Sequence, residues 1–225
     1  MTLQIIPPGL TTDESSKPAA SAKKFDRQEF FPSSLTDGQS EQFRLLGAYG
    51  TGHAGVLWRY PIEQMKDGEL KFAGFRYTTD YPGAQPEGIA RAVDWSNPAR
   101  PKLDNEFVKP KKALVWIAWS VERKRPELLI LEQRGLREGI TEALQDGDYG
   151  FNDDAVAEFV LKISRRGTGL DTSYSVLPKP IKVTKTETEA MAEVREMNVA
   201  SLTEGSHPFI KPAAEFTTDT ADSEF

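Results

Sequence analysis

The chain contains no cysteine and only two histidines, His53 and His207, among 225 residues. Without thiols there is no disulfide framework and no thiolate zinc centre, a usage that suits a reducing cytoplasm. Long apolar runs are scarce too. The longest, Ala113 to Val121, is far too short to cross a bilayer as a helix. The N-terminus, MTLQIIPPGLTTDESSKP, lacks the basic start and apolar stretch of a signal peptide. The expected location is therefore the cytoplasm, with no membrane association. An excess of positive charge is also missing: the net charge is −6.

A net negative charge taken alone argues against nucleic acid, but its distribution argues otherwise. Residues 1–40 carry four basic and five acidic side chains, residues 41–185 carry 22 and 20, and residues 186–225 carry two and nine. The acidity belongs to the last 40 residues. This is the asymmetry of an acidic tail attached to a binding domain.

Patterning divides the chain in the same way. Residues 1–40 are rich in Pro, Ser, Thr and charge and read as a flexible arm, in which FDRQEFF (Phe25 to Phe31) could dock onto the domain. Residues 41–185 read as mainly β. VLWRYPI (Val56 to Ile62) alternates, placing Trp58 and Tyr60 with Val56 and Ile62 on a core face. A turn at Lys66-Asp67-Gly68 returns the chain as a hairpin. Residues 80–110 form a proline-dotted, loop-rich insertion without a clean period, containing Trp95. ALVWIAWSV (Ala113 to Val121) is the strongest strand, and Leu128 to Gln133 returns from it. GLREGITEALQD (Gly135 to Asp146) aligns Leu136, Ile140, Ala143 and Leu144 on one helical stripe. EFVLKISRR and LDTSYSVLP then form a second hairpin. This order predicts a five-stranded OB-like barrel with one helix between strands 3 and 4; an open antiparallel sheet with one helix packed on it is the competing architecture. Residues 186–225 read as a helix over Glu187 to Leu202, then a disordered acidic tail from Thr203.

Catalytic constellations are poor. Each histidine stands alone. GAYGTGHAG (Gly47 to Gly55) lacks the Gly-Lys-Ser/Thr ending of a phosphate loop and precedes a strand, so it reads as a flexible entry loop. Asp146, Asp148, Asp153 and Asp154 miss calcium-loop spacing. The chain is expected to be no enzyme and to hold no metal or cofactor.

Binding chemistry is better supplied. A single-strand binder needs cations along the backbone track and exposed aromatics for base stacking. Residues 102–125 hold seven basic against three acidic side chains, with Lys109, Lys111 and Lys112 before the tryptophan strand and Arg123, Lys124 and Arg125 after it. Lys162, Arg165 and Arg166 form a second cluster at the closing hairpin. Strand parity sends Trp116 and Trp119 to opposite faces. Trp119 shares the uniformly apolar face, so Trp116 is the candidate for stacking. Phe159, Leu161 and Ile163 point inward, which sends Lys162 and Ser164 outward.

KKALVWIAWSVERKRPELLILEQRGLREGITEAL followed by EFVLKISRRGTGLDTSYSVLPKP resembles the core of phage-encoded single-stranded DNA-binding proteins. The most specific part is the hairpin motif Arg166, Gly167, Gly169, Leu170, Thr172, Tyr174 and Val176, and the likeness extends over about residues 44–180. The resemblance implies an OB fold, sequence-tolerant single-strand binding (Tyr174 included in the site), and work in DNA replication, recombination or repair in a host cytoplasm. Some members hold zinc through Cys and His, a site this chain should lack. The acidic end, with Asp222, Glu224 and Phe225, resembles the partner-binding tails of such proteins. It implies recruitment of a polymerase, helicase or primase. Two other functions stay open: a protein-interaction scaffold without nucleic-acid binding, and an RNA-binding OB module.

Overall fold

The computed structural model describes residues 28–66, 68–94 and 102–210. Its elements are β1 (Glu29–Phe30), β2 (Ser40–Leu45), β3 (Ala54–Lys66), β4 (Glu69–Thr78), β5 (Arg91–Asp94), β6 (Lys102–Phe107), β7 (Lys111–Ser120), β8 (Arg125–Leu131), α1 (Arg134–Gln145), β9 (Phe159–Arg166), β10 (Ser173–Pro180) and α2 (Lys185–Val194), with a last 3-10 turn at Val199–Glu204.

The chain is mainly β, and its principal sheet is open. Eight strands run in the order β1-β8-β7-β2-β9-β10, with β3 also on β7 and β4 on β3. The β1–β8 pair is parallel and the others are antiparallel. The expected closed five-stranded barrel is not what forms. The helix does follow a returning strand and precede the closing hairpin, and it packs on one face of the open sheet. Leu136 and Ile140 of α1 are buried among Leu114, Trp116, Phe43 and Leu161, and α1 packs against both β8 and β10. With α1 packed on this face, β1 and β10 end the strand order without pairing to each other, and the sheet stays open. Gly139 makes the approach possible: a Cβ there would lie 2.5 Å from Val176 Cγ1.

The central strand explains the second layer. β7 is rich in apolar β-formers and has no Gly or Pro. It is buried from Ala113 to Ser120, as a strand covered on both faces must be. Its even residues Leu114, Trp116 and Ala118 lie under α1. Its odd residues Ala113, Val115, Ile117 and Trp119 lie under Ala190, Met191 and Val194 of α2 and under Val199 and Leu202 of the last turn. The helix expected over Glu187 to Leu202 is thus two pieces, and the chain stays packed past Thr203, since Phe209 still touches this core. Residues 28–40 of the arm are packed on the domain, at the end of the FDRQEFF segment that was expected to dock. Phe30 and Leu35 are core residues, and Arg165 donates to the carbonyls of Ser33 and Leu35 at 3.2 and 2.6 Å. Within the loop-rich insertion, β5 and β6 pair into a separate two-stranded sheet that the absence of a period did not suggest. Residues 1–27, 95–101 and 211–225, including Trp95 and the tail residues Asp222, Glu224 and Phe225, lie outside the described residues.

One buried ion pair joins the layers. Arg44, on β2, is 1% exposed. Its Nε donates to Glu187 Oε1 at 2.7 Å, and its Nη atoms donate to the carbonyls of Ala157, Ile181 and Lys182. Glu187 Oε2 accepts from the backbone and hydroxyl of Thr184, both at 2.8 Å, completing a capping box at the start of α2. Removing one member of a buried pair leaves the other charge uncompensated. Glu187→Ala should therefore cost about 3–5 kcal/mol in urea unfolding, and Arg44→Met with Glu187→Leu should cost far less. An unchanged unfolding midpoint for Glu187→Ala would show that the pair holds nothing together.

Candidate nucleic-acid interface

The cationic positions expected to contact a strand fall into two groups at opposite ends of β7. At its end, the turn bearing Arg123, Lys124 and Arg125 meets the hairpin bearing Lys162, Arg165 and Arg166, because β2 pairs with both strands (Phe43 opposite Ser120, Ser40 opposite Ser164). Most of this charge is committed internally. Arg123 pairs with Glu41 and Glu127 at 2.7 Å each, and Arg125 pairs with Glu127 at 2.8 Å. Burial raises the Glu41 carboxyl above its ordinary pKa, with Arg123 opposing the shift, so this arginine stabilises an acid inside the protein. Arg165 clasps the residue 33–35 segment and lies 6.0 Å over the half-buried ring of Tyr174. Lys124 and Arg166 are exposed. Lys162 is half-buried on the outward face, opposite Gln42 and Leu177.

Trp116 requires a correction. It is 1% exposed, its Nε1 donates to the Gly47 carbonyl at 2.9 Å, and its ring lies parallel to Phe151. Parity separated it from Trp119 correctly, but the lighter face is a second core beneath α1, so no base stacks on it from solvent.

At the other end of β7, the sheet face shared with α1 offers aromatic rings that are accessible. Lys112 lies opposite Trp58, and Leu114 opposite Val56. Trp58 is only half-buried and its ring meets that of Tyr81, 54% exposed, at 4.7 Å. Val56 is exposed as well, so of the four residues assigned to a core face on β3, Tyr60 is buried and these two border the surface. Tyr49, 60% exposed, stands 6.2 Å from the Trp116 ring. Between Tyr49, Val56 and the even face of β7 on one side and α1 on the other is a cleft of about 560 Å³. Val56, Leu114, Trp116, Ile140 and Leu144 give it apolar walls, and Lys112, Arg134 and Arg137 give it cations. Arg137 donates to the Lys112 carbonyl, which holds α1 against β7. Glu138, the acid at this site, pairs with Arg134 at 2.6 Å. Both side chains are solvent-exposed, so that pair is weak and easily exchanged. Lys109 is exposed just before β7.

Tyr49 is held by the glycine-rich loop, which is structural rather than a loose entry segment. Gly47 has φ +75°, and a Cβ there would lie 2.3 Å from the His53 ring, so no other residue fits. His53 is buried. Its Nδ1 is 2.9 Å from Thr51 Oγ1, and its Nε2 is 3.2 Å from the Val194 carbonyl at the end of α2. Sequence reasoning passed over Tyr49 and Tyr81 because loop residues carry no periodicity. An aromatic set among glycines, in Gly47-Ala-Tyr49-Gly50, was the available signal.

Lys111 points to the opposite face. Its Nζ is 3.3 Å from Glu132, which also pairs with Arg59. The Arg59 guanidinium lies over the rings of Phe31 and Phe75 at 4.4 and 3.2 Å. No family model, curated protein or solved structure matches this chain.

Beside Arg59, burial pushes the Tyr77 phenol from its ordinary 10.0 up to about 12, with Arg59 opposing part of the shift. The folded state therefore holds this proton more tightly than the unfolded chain. The stability it contributes is complete below pH 10 and lost as pH rises through about 12. Urea midpoints should fall over that window, and Tyr77→Phe should fall less steeply. Parallel slopes for the two proteins would place the alkaline transition elsewhere.

Proposed function

We propose that this chain binds single-stranded nucleic acid through the α1–β3–β7 cleft and its aromatic border. The observation that carries the reading is the coincidence, on one face, of accessible rings (Tyr49, Trp58, Tyr81) with cations that no buried acid takes up (Lys112, Arg134). Bases in a single strand offer free faces to such rings, at about 1–3 kcal/mol for each stacked base, and the backbone follows the cations. A duplex keeps its bases stacked on one another and gains only the electrostatic part. The particular ligand is single-stranded DNA, in keeping with the resemblance to phage-encoded binding proteins. The acidic end bearing Asp222, Glu224 and Phe225 would recruit replication proteins.

The test is anisotropy of a labelled oligo(dT) over a range of salt concentrations. Affinity should fall with a log–log slope of about −0.7 for each phosphate contacted. Lys112→Gln and Arg134→Gln should each flatten the slope by roughly that amount. Arg123→Gln, whose cation is engaged by Glu41 and Glu127, should leave it unchanged. Tyr81→Ala should weaken binding about tenfold or more if a base stacks there. Preference for an RNA oligomer of the same sequence would move the assignment to RNA. No salt-dependent binding of either would leave a scaffold.

A further inference from the structure

We propose that the cleft between α1 and the β3–β7 face is a capture site for one unpaired nucleobase, which leaves the strand and enters it edgewise. The inference rests on the single-strand reading above and gives the cleft a task distinct from that of the surface rings. Its walls are largely apolar, from Val56, Leu114, Ile140 and Leu144, with the Trp116 ring among them and Tyr49 exposed near it. The cations Lys112, Arg134 and Arg137 belong to the same cleft. A volume of about 560 Å³ falls in the range of small-ligand sites.

The chemistry selects the occupant. A bare phosphate would satisfy the cations but leave the apolar walls wet. A neutral hydrophobe would fill the cleft and leave the charges unmatched. A nucleotide has a flat ring for the first and an anion for the second. Arg137 is already fixed by its bond to the Lys112 carbonyl, so one phosphate partner is ordered before the strand arrives. Glu138 need only release Arg134, and the two meet in solvent. A paired base cannot enter without unpairing, so the cleft would also discriminate against duplex.

The test compares oligo(dT) with an abasic oligomer of equal length and charge, using the full chain. Wild type should prefer the oligomer with bases by about tenfold or more. Thr141, exposed on α1 at the edge of the cleft, is replaced by Trp to fill it. In Thr141→Trp the preference should shrink several-fold while the salt slope stays the same, because no cation has been removed. Tyr49→Ala, a loop change, provides a second variant, and circular dichroism confirms that both fold. Three results would overturn the proposal. If Thr141→Trp keeps the full preference, the bases stack on the outer rings alone. If wild type binds both oligomers equally, the cleft takes no base although the single-strand reading stands. If neither oligomer binds, both readings fail.

Discussion

The Arg44–Glu187 pair is the contact on which the rest of the molecule depends. β2 is the strand that links the β7–β8 half of the sheet to the β9–β10 half, and Arg44 leaves it toward α2. One guanidinium meets a carboxylate and the backbone carbonyls of Ala157, Phe159, Ile181 and Lys182 there. A buried charge is tolerable only with such complete pairing. The partners come from β2, the approach to β9, the β10–α2 connector and the first turn of α2. Satisfying them therefore brings four distant segments to one point. With α2 fixed in this way, the odd face of β7 is covered, and the even face is left to α1.

This double cover decides what the surface can offer. In an exposed hairpin, Arg123, Arg125 and Arg165 would be free cations. Here each answers an internal need: two acids beside β7 in the first two cases, and orphan carbonyls of the N-terminal segment in the third. The number of basic residues in a stretch is thus a poor measure of available charge. The cations that do face solvent beside rings, Lys112 and Arg134, come from a strand end and a first helical turn.

The Gly47–Gly55 loop connects the core to that surface. Trp116 donates to the carbonyl of Gly47, His53 packs on the same glycine, and His53 Nε2 meets α2. Tyr49 projects from a loop held from both layers. Its ring is exposed while Gly47, two residues before it, is fixed on both its amide and its carbonyl, which lowers the entropy lost when a ligand orders the loop.

Much of the fold was legible. The hairpin at Gly68, the β9–β10 hairpin, the α1 stripe and the inward set Phe159, Leu161 and Ile163 followed from turn chemistry and from periods of 2 and 3.6. The capping box Thr184-Lys-Thr-Glu187 went unread, and the helix was expected to begin only at Glu187. Local pattern determines such features because each involves neighbours in the chain. The sequence could equally say that Trp116 and Trp119 face opposite ways. Whether either face meets water was beyond it, because that depends on where α1 and α2 settle, and those positions are set by contacts such as Arg44 to Glu187 across 143 residues. The open sheet, the burial of Trp116, the internal use of the arginines and the meeting of Tyr49, Val56 and Lys112 at one cleft are all long-range outcomes. Only the tertiary structure decided them, because a side chain's exposure is a property of what packs over it and not of its neighbours in sequence.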